Sequence, residues 1–348
     1  MKKIILFCQA PADIQYALTI YEREKKRSKI SIFCINVEGM YKFLYSLDLK
    51  LEKLVFIPYL KNFSFKKPHA VIKEKLRIKQ IYNQYFVNIK NSRIYFFSHF
   101  CDWITFSFLA KLYNKNEIVF IDHYDSTATI SRINFRNKKN SVKDSVILLM
   151  YEYLTDIKFN FFILEGAKTL EFPYEKYNIK KIKLLNVDEK IYRKYSFKID
   201  ISQDNPILLF ESDYSKNNIF TDYNKKIIEI VKELKNKGYK IYLKPHPRIG
   251  FLKPLKKYVY KVLPDFIPGE FIDLKKFNAI LGLETNALVS HAKRGNKNVY
   301  SLINLFNFSK KIQRESYKIY LNNLSEGKIK FIDSLDSLYT DMSSKKVR

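Results

Sequence analysis

The sequence predicts an α/β protein made of two parallel-sheet domains. Three observations predict it. In the first, Ile227, Ile230, Val231 and Leu234 recur at helical spacing, and Gly238 follows where a left-handed C-terminal cap sits. A short β-branched and aromatic strand then begins at Tyr239. In the second, the same grammar returns some forty residues on. There an apolar strand at 277–283 leads into a helix at 287–294, closed by Gly295, and a further strand follows at 298–302. In the third, the chain opens the same way: strand 4–8 is apolar on both faces, Gln9-Ala10-Pro11 is its exit loop, and a helix starts at Asp13. Strands buried on both faces and alternating with helices belong to parallel sheets. At 348 residues the chain exceeds one ordinary core, and we read it as domains 1–190 and 200–330.

The remaining elements follow in order. Residues 29–35 and 54–57 read as strands. The basic stretch 61–90, with Tyr82, Tyr85 and Phe86 interleaved, reads mostly as a long amphipathic helix with a cationic face. A face turned to a membrane or an acceptor is the sharper reading of the same residues. Strand 93–98 ends at His99, helix 102–113 follows, and strand 117–121 runs into Asp122-His123-Tyr124-Asp125-Ser126-Thr127. Residues 132–143 read as a polar loop, 145–153 as a helix and 158–164 as a strand. The charged, glycine-free stretch 176–202 reads as the domain linker. Strand 206–210 opens the second domain, with Glu211-Ser212-Asp213-Tyr214-Ser215 at its carboxyl end. The last six residues, 343–348, read as a basic tail.

Composition narrows the partners. Lys and Arg number 63 against 35 Asp and Glu, a formal charge of +28, which draws nucleic acid, anionic lipid headgroups or acidic glycans. Cys8, Cys34 and Cys101 lie far apart with no metal-ligand spacing, as expected of buried thiols in a reducing compartment. The opening apolar run is too short for a signal peptide, and no run of eighteen apolar residues exists. A cytoplasmic location is the expectation.

Chemistry concentrates at Lys244-Pro245-His246-Pro247-Arg248. In parallel sheets, ligands bind outside the carboxyl ends of strands, and that is where His246 falls. Pro245 and Pro247 fix the backbone on either side, and Lys244 and Arg248 add positive charge. Such a turn suits a phosphate or a sugar nucleotide, although a histidine between prolines can also be only a rigid loop residue. Ile267-Pro268-Gly269-Glu270-Phe271 presents one carboxylate. Glu284-Thr285-Asn286 then enters a helix, with Thr285 as N-cap over an anion-attracting N-terminus.

The order Lys-Pro-His-Pro, Pro-Gly-Glu-Phe, strand–Glu-Thr-Asn–helix resembles the C-terminal half of bacterial sialyltransferases, closest to the lipooligosaccharide sialyltransferase and polysialyltransferase families. The likeness covers roughly residues 205–305. It implies two Rossmann-like domains facing a cleft, the glycosyltransferase B architecture, with the donor on the C-terminal domain and no bound metal or other cofactor. It also implies that His246 with Thr285 and Asn286 holds the phosphate of a CMP-sugar, and that Glu270 holds the ribose. Asn286 replaces the second hydroxyl residue of many relatives, and its amide can still donate to phosphate. In those families an acidic-acidic-Gly motif supplies the base that deprotonates the acceptor. Here Asp122 is followed by His and Tyr, so the motif is broken. Asp122 ranks first as the base, Asp125 second and His123 third, with helix capping by Asp125 the structural alternative. Gln9, Pro11 and Ser212 are expected on cleft-facing loops, though Gln9 alone reads first as part of an ordinary strand-to-helix turn.

The expected reaction is inverting transfer of an acidic sugar from its CMP ester to a glycan such as lipooligosaccharide or capsule, at the inner face of an anionic membrane. One alternative is the same fold with a Kdo-type or UDP-linked donor. Another, of a different class, is a basic nucleic-acid-binding protein, which only the charge supports.

Overall fold

The computed structural model describes residues 2–97, 102–122, 142–158, 160–164, 167–171, 175–183, 187–201, 204–216, 219–247, 249–296 and 298–343. The chain divides into two compact units, Met1–Ile191 and Tyr192–Arg348.

The first unit runs β1 (Lys2–Cys8), α1 (Asp13–Glu24), β2 (Ser28–Ile35), α2 (Glu38–Ser46), β3 (Lys53–Ile57), α3 (Pro68–Tyr85), β4 (Arg93–Phe96), α4 (Trp103–Leu112), β5 (Glu117–Asp122), α5 (Val142–Thr155), β6 (Asn160–Leu164), β7 (Ala167–Glu171) and β8 (Lys180–Lys183). Helix α6 (Lys190–Lys194) spans the boundary. The main sheet has the order β3-β2-β1-β4-β5-β8 and is parallel throughout. Strand β1 is buried on both sides because helices cover both faces. Ile5 and Phe7 join a core with Ile78, Phe86, Phe108 and Leu112 from α3 to α4. Alternate residues turn toward the side where α1 lies against β1 and β2. Cys8 and Cys34 face each other in the β1–β2 register, both free and both buried.

The second unit runs β9 (Pro206–Glu211), α7 (Tyr223–Asn236), β10 (Lys240–Pro245), β11 (Lys261–Val262), β12 (Ala279–Gly282), α8 (Asn286–Lys293), β13 (Val299–Ser301), α9 (Lys311–Ser325), β14 (Lys330–Phe331) and α10 (Leu335–Ser343). Its sheet order is β11-β10-β9-β12-β13-β14, again all parallel. Both sheets therefore start in the middle and wind outward to either side, which makes each unit a Rossmann-like fold. Gly238 at φ +85° and Gly295 at φ +83° take the left-handed conformation that ends α7 and α8.

Three expectations shift. The strand near 158–164 leaves the parallel sheet and forms an antiparallel hairpin, β6 with β7. The stretch 176–202 is not simply a linker, since it contains β8, paired with β5 at the sheet edge. An edge strand with one neighbour needs no continuous apolar run, and Lys180-Lys181-Ile182-Lys183 has none. The helix within 61–90 covers only Pro68–Tyr85, where Pro68 suits the first turn. Ahead of it, Phe63 and Phe65 pack on the Trp103 ring at 4.8 and 5.3 Å. His99, Cys101, loop 132–141 and the tail 344–348 lie outside the described residues.

Candidate functional site

In the second unit the winding direction changes between β9 and β12. Strands β10, β9 and β12 are consecutive neighbours, so the loops leaving their carboxyl ends emerge side by side. Those loops carry His246, Ser212 and Thr285 respectively.

The His246 loop is held from beneath by Glu211, the last residue of β9. The His246 amide donates to the Glu211 carbonyl at 2.9 Å, and the Leu252 amide donates to the Glu211 carboxylate at 3.0 Å. One residue thus grips both ends of loop 246–252. Within the loop, His246 and Gly250 exchange backbone hydrogen bonds, and Gly250 takes φ +71° to close the turn. The Ile249 amide donates to Nδ1 of His246 at 3.3 Å, which in the neutral ring leaves the proton on Nε2. The Tyr223 hydroxyl bonds both the Glu211 carboxylate and the Ser212 carbonyl. Burial pushes the Glu211 carboxyl up to about 7, against the lowering effect of its Tyr223 and Leu252 bonds.

Lys244 is turned inward. It is 2% exposed, and its ammonium donates to the carbonyls of Pro245 at 2.6 Å and Asp265 at 3.1 Å. Burial lowers it to about 8, while Glu270 and Asp265 act in the opposite direction. Lys244 therefore braces the crossover segment against β10 and supplies positive potential from below.

The turn bearing Glu270 is pinned to α8. The Arg294 guanidinium donates to the Glu270 carbonyl at 2.8 Å and to Nδ1 of His291 at 2.7 Å. Nε2 of His291 then donates to the Gly269 carbonyl at 2.8 Å. Burial first, and Arg294 second, lower His291 to about 3, so its ring is neutral and its tautomer fixed. Arg294 also lies 4.2 Å over the Tyr192 ring. A Cβ on Gly269 would stand 2.8 Å from both Ala287 Cβ and Phe210 Cε1, so only glycine lets the turn seat this closely. Burial raises the Glu270 carboxyl, with Lys244 and Arg294 pulling it back down. Thr285 is extended, at φ −148° and ψ 141°, and its hydroxyl accepts the Ala287 amide at 3.3 Å, capping α8. Asn286 is exposed at the first helical position.

The structure thus gathers Lys244, His246, Pro247, Glu270, Thr285, Asn286 and Ser212 within the second unit; Arg248 is outside the described residues. Gln9, Pro11 and Asp122 belong to the first unit. Gln9 lies at the carboxyl end of β1, and its amide donates to Asp102 at 2.8 Å and to Thr105 at 2.6 Å. Asp102 caps α4, and burial raises its carboxyl. Gln9 therefore ties β1 to α4. The Pro11 carbonyl accepts the Ile14 amide at 3.2 Å in the first turn of α1. Asp122 ends β5 opposite Lys183. His123 and Asp125 lie outside the described residues. Sequence reading missed Glu211, Tyr223, His291 and Arg294 as site-builders. An acidic residue ending the apolar run Pro206–Glu211 was a usable signal, as was the i,i+3 spacing of His291 and Arg294 on one face of α8.

No family model matches the chain, and no curated protein matches it. Among solved structures it is similar to Arabidopsis thaliana UGT89C1 complexed with UDP, at 9% identity and TM-score 0.49, over 99% of this chain and 91% of that one. It is also similar to the UDP-GlcNAc 2-epimerase from Methanocaldococcus jannaschii, at 12% identity and TM-score 0.46, over 98% and 91%. A third is E. coli ADP-heptose lps heptosyltransferase II, at 11% identity and TM-score 0.37, over 87% and 84%. Likenesses of this grade do not bear on substrate or residue roles.

Proposed function

We propose that the chain is an inverting glycosyltransferase that moves sialic acid, or a related acidic sugar, from its CMP ester to a surface glycan. One observation carries the reading. The three segments that resemble the sialyltransferase motifs, at His246, Glu270 and Thr285–Asn286, flank one switch point in one unit, where a nucleotide is bound in folds of this kind.

In this reading the α8 N-terminus, with Asn286, and the Nε2–H of His246 hold the donor phosphate. Both interactions strengthen as negative charge builds on the departing CMP, and that differential lowers the barrier. Lys244 acts from beneath as a fixed positive charge. Glu270 takes the ribose hydroxyls. Asp122 at the end of β5 deprotonates the acceptor, with Asp125 and then His123 as the substitutes.

Calorimetry with CMP, UDP and ADP tests the donor. Binding of CMP at least tenfold tighter than UDP, lost in His246→Ala with thermal stability kept, is the expected result. A preference for UDP would replace the acidic-sugar donor by a UDP-linked one on the same fold. Equal and weak binding of all three would remove the nucleotide site.

A further inference from the structure

Four of the nine large hydrophobic side chains exposed among the described residues fall on one face of the first unit, so they are not scattered singly. Ile72 and Leu76, 50% and 58% exposed, stand one turn apart on α3. Leu149 and Tyr153, 62% and 49% exposed, stand one turn apart on α5, which packs beside α3. Between the two helices lies a groove of about 240 Å³ lined by Ile72, Leu76 and Tyr153, with three cations, Lys75, Lys79 and Lys111, against one carboxylate, Asp156. Lys75 fixes the helix pair, since its ammonium donates to the Tyr153 carbonyl and to Asp156, each at 2.6 Å. The one acid of α3, Glu74, is fully buried and held by Arg77 and Trp103. The outward face of α3 is therefore apolar and cationic, with Lys73 and Lys79 beside Ile72 and Leu76.

We propose that this α3–α5 face is where the protein docks on an anionic lipid bilayer, the apolar side chains entering the headgroup layer and the lysines meeting lipid phosphate. Charge decides the occupant. A second copy of the chain would set Lys73 and Lys79 against their own counterparts, and a soluble polyanion would leave the four apolar side chains without a partner. Anionic lipid satisfies both halves of the face. The inference does not depend on the donor assigned above.

Flotation of the full chain with vesicles tests it. Phosphatidylcholine containing phosphatidylglycerol should float the protein, whereas phosphatidylcholine alone should not, and high salt should release it. Ile72→Ser/Leu76→Ser, which changes no charge, should lower partitioning at least tenfold, as should Lys73→Glu/Lys79→Glu. Leu149→Ser/Tyr153→Ser gives the same readout from the other helix should the α3 variant fail to fold, with Trp103 fluorescence as the fold check. Lys225→Glu/Lys237→Glu on the second unit makes the same charge change elsewhere and should bind like the parent. The proposal is overturned if that control loses as much as the α3 charge variant, which would make bulk charge the cause. It is equally overturned if the serine variants float undiminished, or if they lose retention on heparin as strongly as on vesicles, since the face would then serve a polyanion.

Discussion

Glu211 makes stability depend on pH with a definite sign. Its carboxyl titrates near 7 in the folded chain against 4.5 ordinarily, so the native state holds a proton that the unfolded state gives up between those values. The associated stability is fully present below about pH 4.5 and is lost as pH rises through 7, a span worth roughly 3 kcal/mol. Glu211→Gln keeps an acceptor for the Leu252 amide and stays neutral, so its denaturation profile should be flatter from pH 5 to pH 8. Parallel profiles for parent and variant would mean that the buried carboxyl does not titrate in this range. His246 was legible in the sequence because prolines bracket it at a strand end. Glu211 was not, because its role comes from closing a loop whose far end, Leu252, lies 41 residues on.

The Pro268–Phe271 turn works by close approach. Gly269 is not in the left-handed region, yet it cannot carry a side chain, because Ala287 and Phe210 occupy the space. Gly269→Ala should lower thermal stability by about 1–3 kcal/mol and weaken CMP binding, while second-unit secondary structure persists by circular dichroism. An unchanged CMP affinity alongside the lost stability would separate the turn from the nucleotide site. The proline–glycine pair announced the turn, and helix periodicity announced α7 and α8. What packs on Gly269 was invisible, because Phe210 and Ala287 come from two other elements. Strand β8 was hidden for the opposite reason, since one sheet neighbour demands almost no sequence signal.

Each unit has its own sheet and core, which the two stretches of strand–helix grammar had indicated. The chain holds a single tryptophan, Trp103, which lies in the first unit against Tyr59 and Phe63 at 4.3 and 4.8 Å. Its fluorescence reports that unit, whereas far-ultraviolet circular dichroism reports both. Phe86→Ala empties a fully buried position and should cost about 3–5 kcal/mol. The fluorescence midpoint should then drop below the dichroism midpoint, whereas coincident midpoints would show the units unfolding together. The proposed base was the least legible part, because the acidic-acidic-Gly motif of the sialyltransferases that the sequence resembles is broken at Asp122-His123-Tyr124 and no spacing rule restores it.

The facing thiols of β1 and β2 turn the middle of the first sheet into a chemical clock. Burial raises both Cys8 and Cys34, and Asp13 nearby adds to the effect, so neither sulfur forms an appreciable thiolate while the strands are packed. An alkylating reagent meets them only when α1 lifts from this face of the sheet or the whole unit opens. With reagent concentrated enough for alkylation to outpace reclosing, the rate of uptake at these two sites counts how often that cover opens.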